Sequence, residues 1–415
     1  MDETASTVPP FLTEGENSVA VCLPQIKTED VSLYRATVTT GGRLVVRDGK
    51  PVVLGYFEEP VCTFSLNLRI PRRRITLTAY ILQFGPPGGI RACMRYTPRG
   101  SGITGATMLL ERITEAVFLV DIPEADLRIL CACPENVVKF LARAGFIKKI
   151  ERDGVRFETG PNAILLSELP VQNGRFCNLA EFPVLQMLYL QGMLLPGHPN
   201  NTGRRPMIIG LRDQVQAQAE YIYCGNYGIT DPDELSPEDR DLGERILRIK
   251  RWFAFGNFRP TDELLDLKTI DSPIIELRDG VFLRRQGVNR YEFIYRGNTL
   301  NVDLNLGPNQ SYGCPYTLPS VPARREGFSV VHLGEGDGWD PERPCMSSIV
   351  MHHGEAYLID AGPNIEESLE AVGLGVNCIR GIFHTHVHDD HFVGLTALIR
   401  AERRLSYWAA PAIRR

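Results

Sequence analysis

The sequence predicts a mixed α/β and α+β protein with more than one domain, and three observations support this. The chain has 415 residues, which exceeds the length of an average single domain. Hydrophobic residues make up 43% and charged residues 23%, as in folded proteins with well-formed cores. Apolar runs with the period of strands alternate with stretches that have the period of amphipathic helices.

The first hundred residues read as β structure after a polar beginning. Residues 1–30 have no sustained periodicity, which predicts a flexible lead-in. Residues 43–47 and 51–55 are strand-like and flank Asp48-Gly49-Lys50, a sequence typical of a hairpin turn because Asp-Gly tolerates positive φ. Residues 76–81 predict a further strand.

Residues 101–320 alternate between predicted helices and strands, and no internal repeat is evident. Helices are predicted over 106–117, 134–144, 182–193, 214–223 and 239–253, a strand over 206–210, and strand pairs that turn at 153–154, 279–280 and 297–298. Clustered prolines over 315–325 predict a linker. We therefore expect an α+β region over 31–320, as one unit or as the subdomains 31–100 and 101–320, and a further domain over 326–415.

Charge and composition narrow the expected partners. The net charge is −5 and the pI about 6.0, which argues against nucleic acid or an anionic membrane, since both favour a basic face. The acidic N-terminus does not resemble a secretory signal, and no apolar run reaches the roughly 20 residues of a spanning helix. We expect a cytoplasmic protein with a small-molecule substrate, and neither nucleic acid nor membrane as a partner.

The last domain has a regular order of predicted elements. Strands are predicted over 328–333, 347–351, 356–362 and 378–383, and helices over 365–372 and 392–400. The glycine-rich loop 334–341 is open to a phosphate-binding interpretation. That motif requires a helix directly after the glycines, whereas Trp339-Asp340-Pro341 continues the loop, so a surface loop is preferred.

Four of the eight histidines lie within residues 384–391, of sequence His-Thr-His-Val-His-Asp-Asp-His. His386 and His388 are two residues apart in an extended loop and can share one cation, while Asp390 and His391 can face a second. Imidazole and carboxylate together suit zinc, and also iron or manganese. Two cations about 3.5–4 Å apart can hold a bridging hydroxide, because a metal lowers the pKa of bound water to about 7.

Residues 385–391 resemble the T-H-x-H-x-D-H signature of the metallo-β-lactamase superfamily, and the preceding strands and helix resemble its opening half. The resemblance implies the first half of a four-layer αββα sandwich. It implies that His386 and His388 bind one metal, that Asp390 and His391 bind the other, and that Asp390 is catalytic and orients the attacking hydroxide. Asp360, at the end of a strand, resembles the aspartate that supports the ligands from behind.

The sequence departs from the superfamily pattern after this loop. The superfamily places further histidine and aspartate ligands downstream, yet the 24 residues after His391 contain neither residue type. Three interpretations stay open: a fragment of a longer protein, which we favour; a degenerate copy; or completion of the site by His198 or His332. We expect this chain alone to bind metal weakly and to hydrolyse little, with a homodimer or partner domain supplying the missing half.

Three functions are consistent with these features. The leading hypothesis is a dizinc hydrolase that acts through a metal-bridging hydroxide, on a substrate class that the fold leaves open. The alternatives are a non-hydrolytic diiron module that senses oxygen or redox state, and a binding protein with a vestigial metal site. Histidine at position 388 favours the hydrolase, since the flavodiiron members of the superfamily typically carry glutamate there. In the binding-protein alternative, the polar loop 196–203 is a candidate ligand site, with a plain surface loop as the simpler interpretation.

Overall fold

The computed structural model describes residues 107–414, except for residues 230, 255, 256 and 325 and the side chains of 253, 412 and 414. Of residues 1–106 it describes only the backbone of eight strands. The chain divides into two compact units, Met1–Thr104 and Gly105–Arg415. The helices and strands confirm the expected mixed class. Within the described part of the chain, no helix has the length and apolar character needed to cross a bilayer.

The first unit contains two antiparallel sheets of four strands, in the orders β1-β2-β5-β4 and β3-β6-β7-β8. The strands are β1 (Phe11–Thr13), β2 (Ser18–Cys22), β3 (Thr37–Val38), β4 (Arg43–Arg47), β5 (Lys50–Tyr56), β6 (Val61–Ile70), β7 (Arg73–Leu82) and β8 (Arg91–Arg99). Strands β4 and β5 pair as the hairpin pattern predicts, although Asp48 and Gly49 lie outside the described residues. The strand predicted over 76–81 lies within β7. The predicted lead-in includes β1 and β2, and its other residues lie outside the described part.

The second unit begins with a six-stranded sheet, called the first sheet below, whose order is β18-β17-β14-β11-β10-β9. Its strands are β9 (Leu109–Thr114), β10 (Val117–Ile122), β11 (Leu127–Cys131), β14 (Ala163–Leu165), β17 (Met207–Gly210) and β18 (Asp266–Thr269). Two small hairpins and a four-stranded meander accompany it: β12 (Lys149–Arg152) with β13 (Val155–Glu158), β15 (Val171–Gln172) with β16 (Arg175–Phe176), and β19 (Ile274–Arg278), β20 (Val281–Gly287), β21 (Arg290–Tyr295) and β22 (Asn298–Asp303). The helices are α1 (Val137–Arg143), α2 (Glu181–Leu185), α3 (Arg212–Tyr227), α4 (Arg240–Phe253) and α5 (Thr261–Leu264).

The helix predicted over 106–117 is wrong. Residues 109–114 form the edge strand β9, which pairs with β10 in an antiparallel hairpin. Ala116, with φ of 55°, lies in the turn between them. Strand β10 is apolar and largely buried, so pairing with it outweighs the helical spacing of a short segment.

The second sheet has five strands in the order β23-β24-β25-β26-β27. They are β23 (Phe328–Gly334), β24 (Ser347–His352), β25 (Glu355–Ile359), β26 (Ile379–His384) and β27 (Ser406–Ala409), with helices α6 (Ile365–Ala371), α7 (Asp389–Phe392), α8 (Leu395–Ile399) and α9 (Pro411–Arg414). The predicted linker has no helix or strand among its described residues. It lies along the end of α6, where Val321 N–H donates to the Ala371 carbonyl at 2.7 Å.

The two sheets repeat one topology, which contradicts the expectation of no internal repeat. In each, two antiparallel pairings (β9/β10/β11 and β23/β24/β25) lead through a helix into two parallel pairings (β11/β14/β17 and β25/β26/β27). Here the first repeat denotes residues 109–227 and the second repeat residues 328–414. The repeat was not visible in the sequence because the pairing of backbones, not side-chain identity, is what the two share.

The turn after the third strand of each repeat matches in detail. Ala132 and Asp360 both have left-handed backbone, with φ of 64° and 60°. Each N–H donates to a carbonyl near the end of the neighbouring parallel strand, Ala132 to Leu165 and Asp360 to Phe383, both at 2.9 Å. Four residues later Asn136 and Asn364 are again left-handed, with φ of 61° and 58°, and each precedes a helix. Agreement in register, dihedral angles and hydrogen bonds supports a structural repeat rather than a chance similarity.

The two sheets differ in how their faces are covered. The first sheet shares one core with α1, α3 and the meander, and Leu165 and Ile209 are fully buried there. The second sheet packs one face on α6 and α8. On its other face Phe383 and Trp408, which match Leu165 and Ile209 in register, are each 46% exposed. The αββα arrangement therefore remains a prediction for the second repeat.

Candidate metal centre

The predicted ligands lie at the carboxyl end of β26, where the chain passes through residues 385–388 into α7. Because β26 is an interior strand that pairs in parallel with β25 and β27, its carboxyl end lies at the edge where α/β folds usually bind ligands. Two groups of side chains there bring their donor atoms within 4.8 Å of one another: His386 with His388 and Asp390, and Asp360 with His386 and His391. The structure thus brings all of the predicted site residues together.

Asp360 holds the loop through three hydrogen bonds. Its Oδ1 accepts from Thr385 N–H at 2.8 Å, and its Oδ2 accepts from the Thr385 hydroxyl at 2.7 Å. The same Oδ2 lies 2.8 Å from His391 Nδ1. Since these contacts already occupy both carboxylate oxygens, Asp360 suits a supporting role better than direct ligation, in line with its predicted role.

The hydrogen bonds decide which nitrogen of each histidine is free. The Thr385 hydroxyl donates its proton to Asp360, so at 3.0 Å it accepts from His386 Nδ1–H, and His386 Nε2 keeps its lone pair. His391 Nδ1 donates to Asp360, which leaves Nε2 free. His388 is reversed: Nε2 lies 3.1 Å from the Gly225 carbonyl, which only accepts, so Nδ1 is the free nitrogen. Each ring therefore offers one lone pair.

Burial and neighbouring charges shift the pKa values of the three histidines and Asp390. Burial and the neighbouring His386 ring lower the pKa of His388 to about 4, and burial with His391 lowers the pKa of His386. Burial raises the pKa of Asp390. Burial lowers the pKa of His391, but the hydrogen bond with Asp360 and the charge of Asp390 outweigh it and raise that pKa overall. His386 and His388 are therefore neutral near pH 7, the state in which imidazole binds metals.

Asp390 is a buried carboxyl with an unused acceptor. It is 5% exposed, and its Oδ1 has no hydrogen-bond partner among the described residues. Its Oδ2 lies 3.6 Å from His391 Nε2. A buried carboxylate oxygen without a partner is costly, and a cation between Asp390 and the imidazoles removes that cost. The donor set of imidazole nitrogen and carboxylate oxygen fits zinc, iron or manganese.

His384, the histidine outside the signature, is not in either group. It is fully buried, its Nδ1 lies 3.2 Å from the Tyr407 hydroxyl, and its ring packs against Phe392. His198 and His332, the other candidates for completing the site, also lie elsewhere. His198 Nδ1 accepts from Asn200 N–H at 3.0 Å in the loop 196–203, and His332 on β23 forms a hydrogen bond with the Ser348 hydroxyl on β24. The structure gives no support to completion of the site by either residue.

The first repeat contributes residues that the sequence did not point to. Glu181, at the start of α2, is fully buried, and its Oε2 accepts from Asp389 N–H at 3.1 Å. The Tyr221 hydroxyl of α3 donates to the Asp389 carboxylate. The Gly225 carbonyl of α3 faces His388. The only signal in the sequence was a lone glutamate at the head of an otherwise apolar helix, which is too common to identify a site.

Aromatic and polar side chains of the two repeats pack together beside the loop 385–388. Phe182 packs edge-on against Trp339, with ring centroids 5.0 Å apart, and also faces His388. Gly338 is needed here, because a Cβ on it would overlap the Phe182 ring. The Asn136 side-chain amide donates to Asn364 Oδ1 in the buried interior. The glycine-rich loop 334–341 thus packs against the first repeat.

Comparison with known proteins finds similarity over part of the chain. The family model described as Anti-Pycsar protein Apyc1 matches residues 328–407. Ribonuclease Z of Pyrococcus abyssi is 42% identical over 74 residues, 18% of this chain and 24% of the relative. Ribonuclease Z of Mycobacterium marinum is 30% identical over 86 residues, 20% of this chain and 31% of the relative. No solved structure is significantly similar to the chain.

The chain spans between a quarter and a third of the length of these curated relatives. Ribonuclease Z is a member of the metallo-β-lactamase superfamily, so these partial matches support a relationship to that superfamily. The family model places its match on the second repeat. This agrees with the order of its strands and with the convergence of the loop residues.

Proposed function

We propose that the second repeat carries the metal centre of a metal-dependent hydrolase of the metallo-β-lactamase superfamily. The observation that carries the proposal is the convergence of donors: His386, His388 and Asp390 bring donor atoms within 4.8 Å of one another, and His391 Nε2 lies 3.6 Å from Asp390 Oδ2. The hydrogen bonds leave His386 Nε2 and His388 Nδ1 with free lone pairs. Three protein donors are the number that catalytic zinc sites ordinarily use. His391 and Asp390 are the residues that would hold a second cation.

The metal would supply the nucleophile, since a bound divalent cation lowers the pKa of water to about 7. The residues of the chain supply position and charge. Asp360 and Thr385 fix the His386 and His391 rings through the hydrogen bonds described above. Asp390, with its unpaired Oδ1, would accept a hydrogen bond from the attacking water and orient it.

We propose a phosphodiester as the bond cleaved. The relatives named ribonuclease Z act, by their name, on RNA, whereas the net charge of −5 led us to expect a small-molecule substrate. A phosphodiester is common to RNA and to small cyclic or acyclic diesters. We therefore propose only the type of bond, and an assay must distinguish RNA from a small diester as the substrate.

The test uses the full chain freed of metal and reconstituted with zinc, manganese or iron. Zinc affinity is measured by competition with a coloured chelator, and hydrolysis with bis(p-nitrophenyl) phosphate, a short RNA and an aryl thioester. H386A and D390N should lose zinc binding and any hydrolysis. H352A, which removes an exposed histidine of β24, is the matched control and should retain both.

The proposal is wrong if zinc binds no more tightly to the wild type than to H386A, or if the thioester but neither phosphodiester is cleaved. The same titration tests the expectation that this chain alone binds metal weakly. Cleavage of the small diester without cleavage of RNA would favour a small-molecule substrate, as the sequence predicts.

A further inference from the structure

The geometry points to Glu181 as a positioning residue that, with the Gly225 carbonyl, makes His388 present Nδ1 to the metal. This inference rests on the proposed function, because it assigns a role in holding the same centre. It goes beyond that function in placing part of the metal site's support in the first repeat, which carries none of the predicted ligands.

The carboxyl end of helix α3 faces His388. Gly225 lies in the last turn of α3, which ends at Tyr227. The last four carbonyls of a helix have no partner within the helix and need one elsewhere. His388 Nε2 lies 3.1 Å from the Gly225 carbonyl and supplies that partner. The partly negative carboxyl end of the helix dipole also favours a donor there.

The carboxyl group of Glu181 lies beside that helix end. Glu181 Oε1 is buried, has no hydrogen-bond partner among the described residues, and lies 3.7 Å from His388 Nε2. Its other oxygen accepts from Asp389 N–H at the start of α7. One side chain thus touches the loop at two successive residues. An acceptor oxygen of this carboxyl group facing Nε2–H, together with the Gly225 carbonyl, favours the proton on that nitrogen and leaves Nδ1 for the metal.

The absence of a side chain at Gly225 leaves the space for this contact. A Cβ added to Gly225 would overlap the Glu181 carboxyl group, with its Cδ only 2.7 Å away. Glycine within a helix costs about 1 kcal/mol relative to alanine. At this position the missing side chain lets Glu181 approach both α3 and the loop. Gly225 therefore contributes an acceptor and an opening at the same point.

The experiment reads the tautomer and the metal affinity separately. In the full chain labelled with ¹⁵N-histidine, two-bond ¹H–¹⁵N spectra distinguish Nε2–H from Nδ1–H rings, and H388A assigns the signal. We expect His388 of the metal-free wild type to be the Nε2–H tautomer. In E181Q the amide group turns donors towards Nε2, so the Nδ1–H form should appear, and zinc should bind about 10–100-fold more weakly.

E168Q is the matched control, because Glu168 is another carboxylate with a nearly buried side chain in the first repeat, and its partners are Arg285 and Tyr291. It should leave the His388 tautomer and zinc affinity unchanged. An Nδ1–H tautomer in the wild type overturns the inference without any variant, as does E181Q with the wild-type tautomer and affinity. Failure of the wild type to bind zinc would reject the proposed function, while the tautomer would still decide the role of Glu181.

Discussion

The buried contact between Asn136 and Asn364 gives the sharpest test of how the two repeats are joined. The two side chains are 8% and 0% exposed, and the amide of Asn136 donates to the Oδ1 of Asn364. They occupy matching positions in the two repeats, each with left-handed backbone before a helix. We predict that the double-mutant cycle of N136A and N364A shows strong coupling.

The magnitude follows from two terms. Each single change leaves a buried polar partner unsatisfied, at about 1–3 kcal/mol. Each also places alanine in left-handed backbone, at about 1 kcal/mol, so each single variant should lose about 2–4 kcal/mol. The double variant removes both polar groups together, so only the backbone cost repeats. The two changes should therefore fall short of additivity by about 2–6 kcal/mol, the sum of the two unsatisfied-partner costs.

Urea unfolding followed by tryptophan fluorescence measures this cycle. All three tryptophans, Trp252, Trp339 and Trp408, lie in the second unit and report on it alone. Asn173 offers a control, since it is also left-handed but bonds the carbonyls of residues 307 and 310. N173A combined with N364A should be additive. Additivity of N136A and N364A within about 0.5 kcal/mol would refute the argument that the hydrogen bond joins the repeats.

Three further predictions concern stability and the loop. Burial raises the pKa of Glu168, but its hydrogen bonds, the first of them from Arg285, outweigh that and hold the pKa below the ordinary 4.5. Its stabilisation is present above pH 4.5 and lost as the pH falls through the lowered pKa. In acid titrations followed by fluorescence, the wild type should therefore lose more stability than E168Q as the pH falls below 4.5; equal losses would contradict this. Gly362→Ala should destabilise the protein by about 1–3 kcal/mol and weaken zinc binding, because the added Cβ would meet the Asp390 carbonyl; calorimetry and chelator competition measure both, and unchanged values would show that the loop can move aside. Leu141→Ala should cost about 2–5 kcal/mol in urea unfolding, because the side chain is fully buried in the core of the first sheet, and a cost below about 1 kcal/mol would show that the core collapses around it.

Much of the second repeat was predictable from short segments. Four of its five strands, the helix after β25 and the histidine loop appeared where local pattern and spacing placed them. Strand β27 was not predicted, and the helix predicted over 392–400 is divided between α7 and α8. The predicted site residues converge because parallel strands end at a common edge. The prediction of a helix over 106–117 was wrong because strand β9 forms only by pairing with its neighbour β10. A window of a dozen residues does not show whether such a partner is present.

The residues behind the loop were beyond sequence analysis. Glu181 lies 208 positions from Asp389 along the chain, and Tyr221 lies 168 positions from it. Neither has a motif, and each resembles an ordinary residue of its own helix. The repeat was hidden for a related reason, since alanine stands at 132 where aspartate stands at 360, and serine at 167 where threonine stands at 385.

The sequence by itself determined which donor atoms the candidate centre offers, because the kinds of donor atom and their spacing along one loop are local properties. Only the tertiary structure decided which nitrogen of each ring is free and which distant groups enforce that choice. A ring's proton goes to whichever nitrogen meets an acceptor, and the acceptor for His388 comes from a helix 163 residues earlier in the chain. Folding brings that helix and the loop together, and with them the repeat that bears the predicted ligands and the repeat that bears none of them.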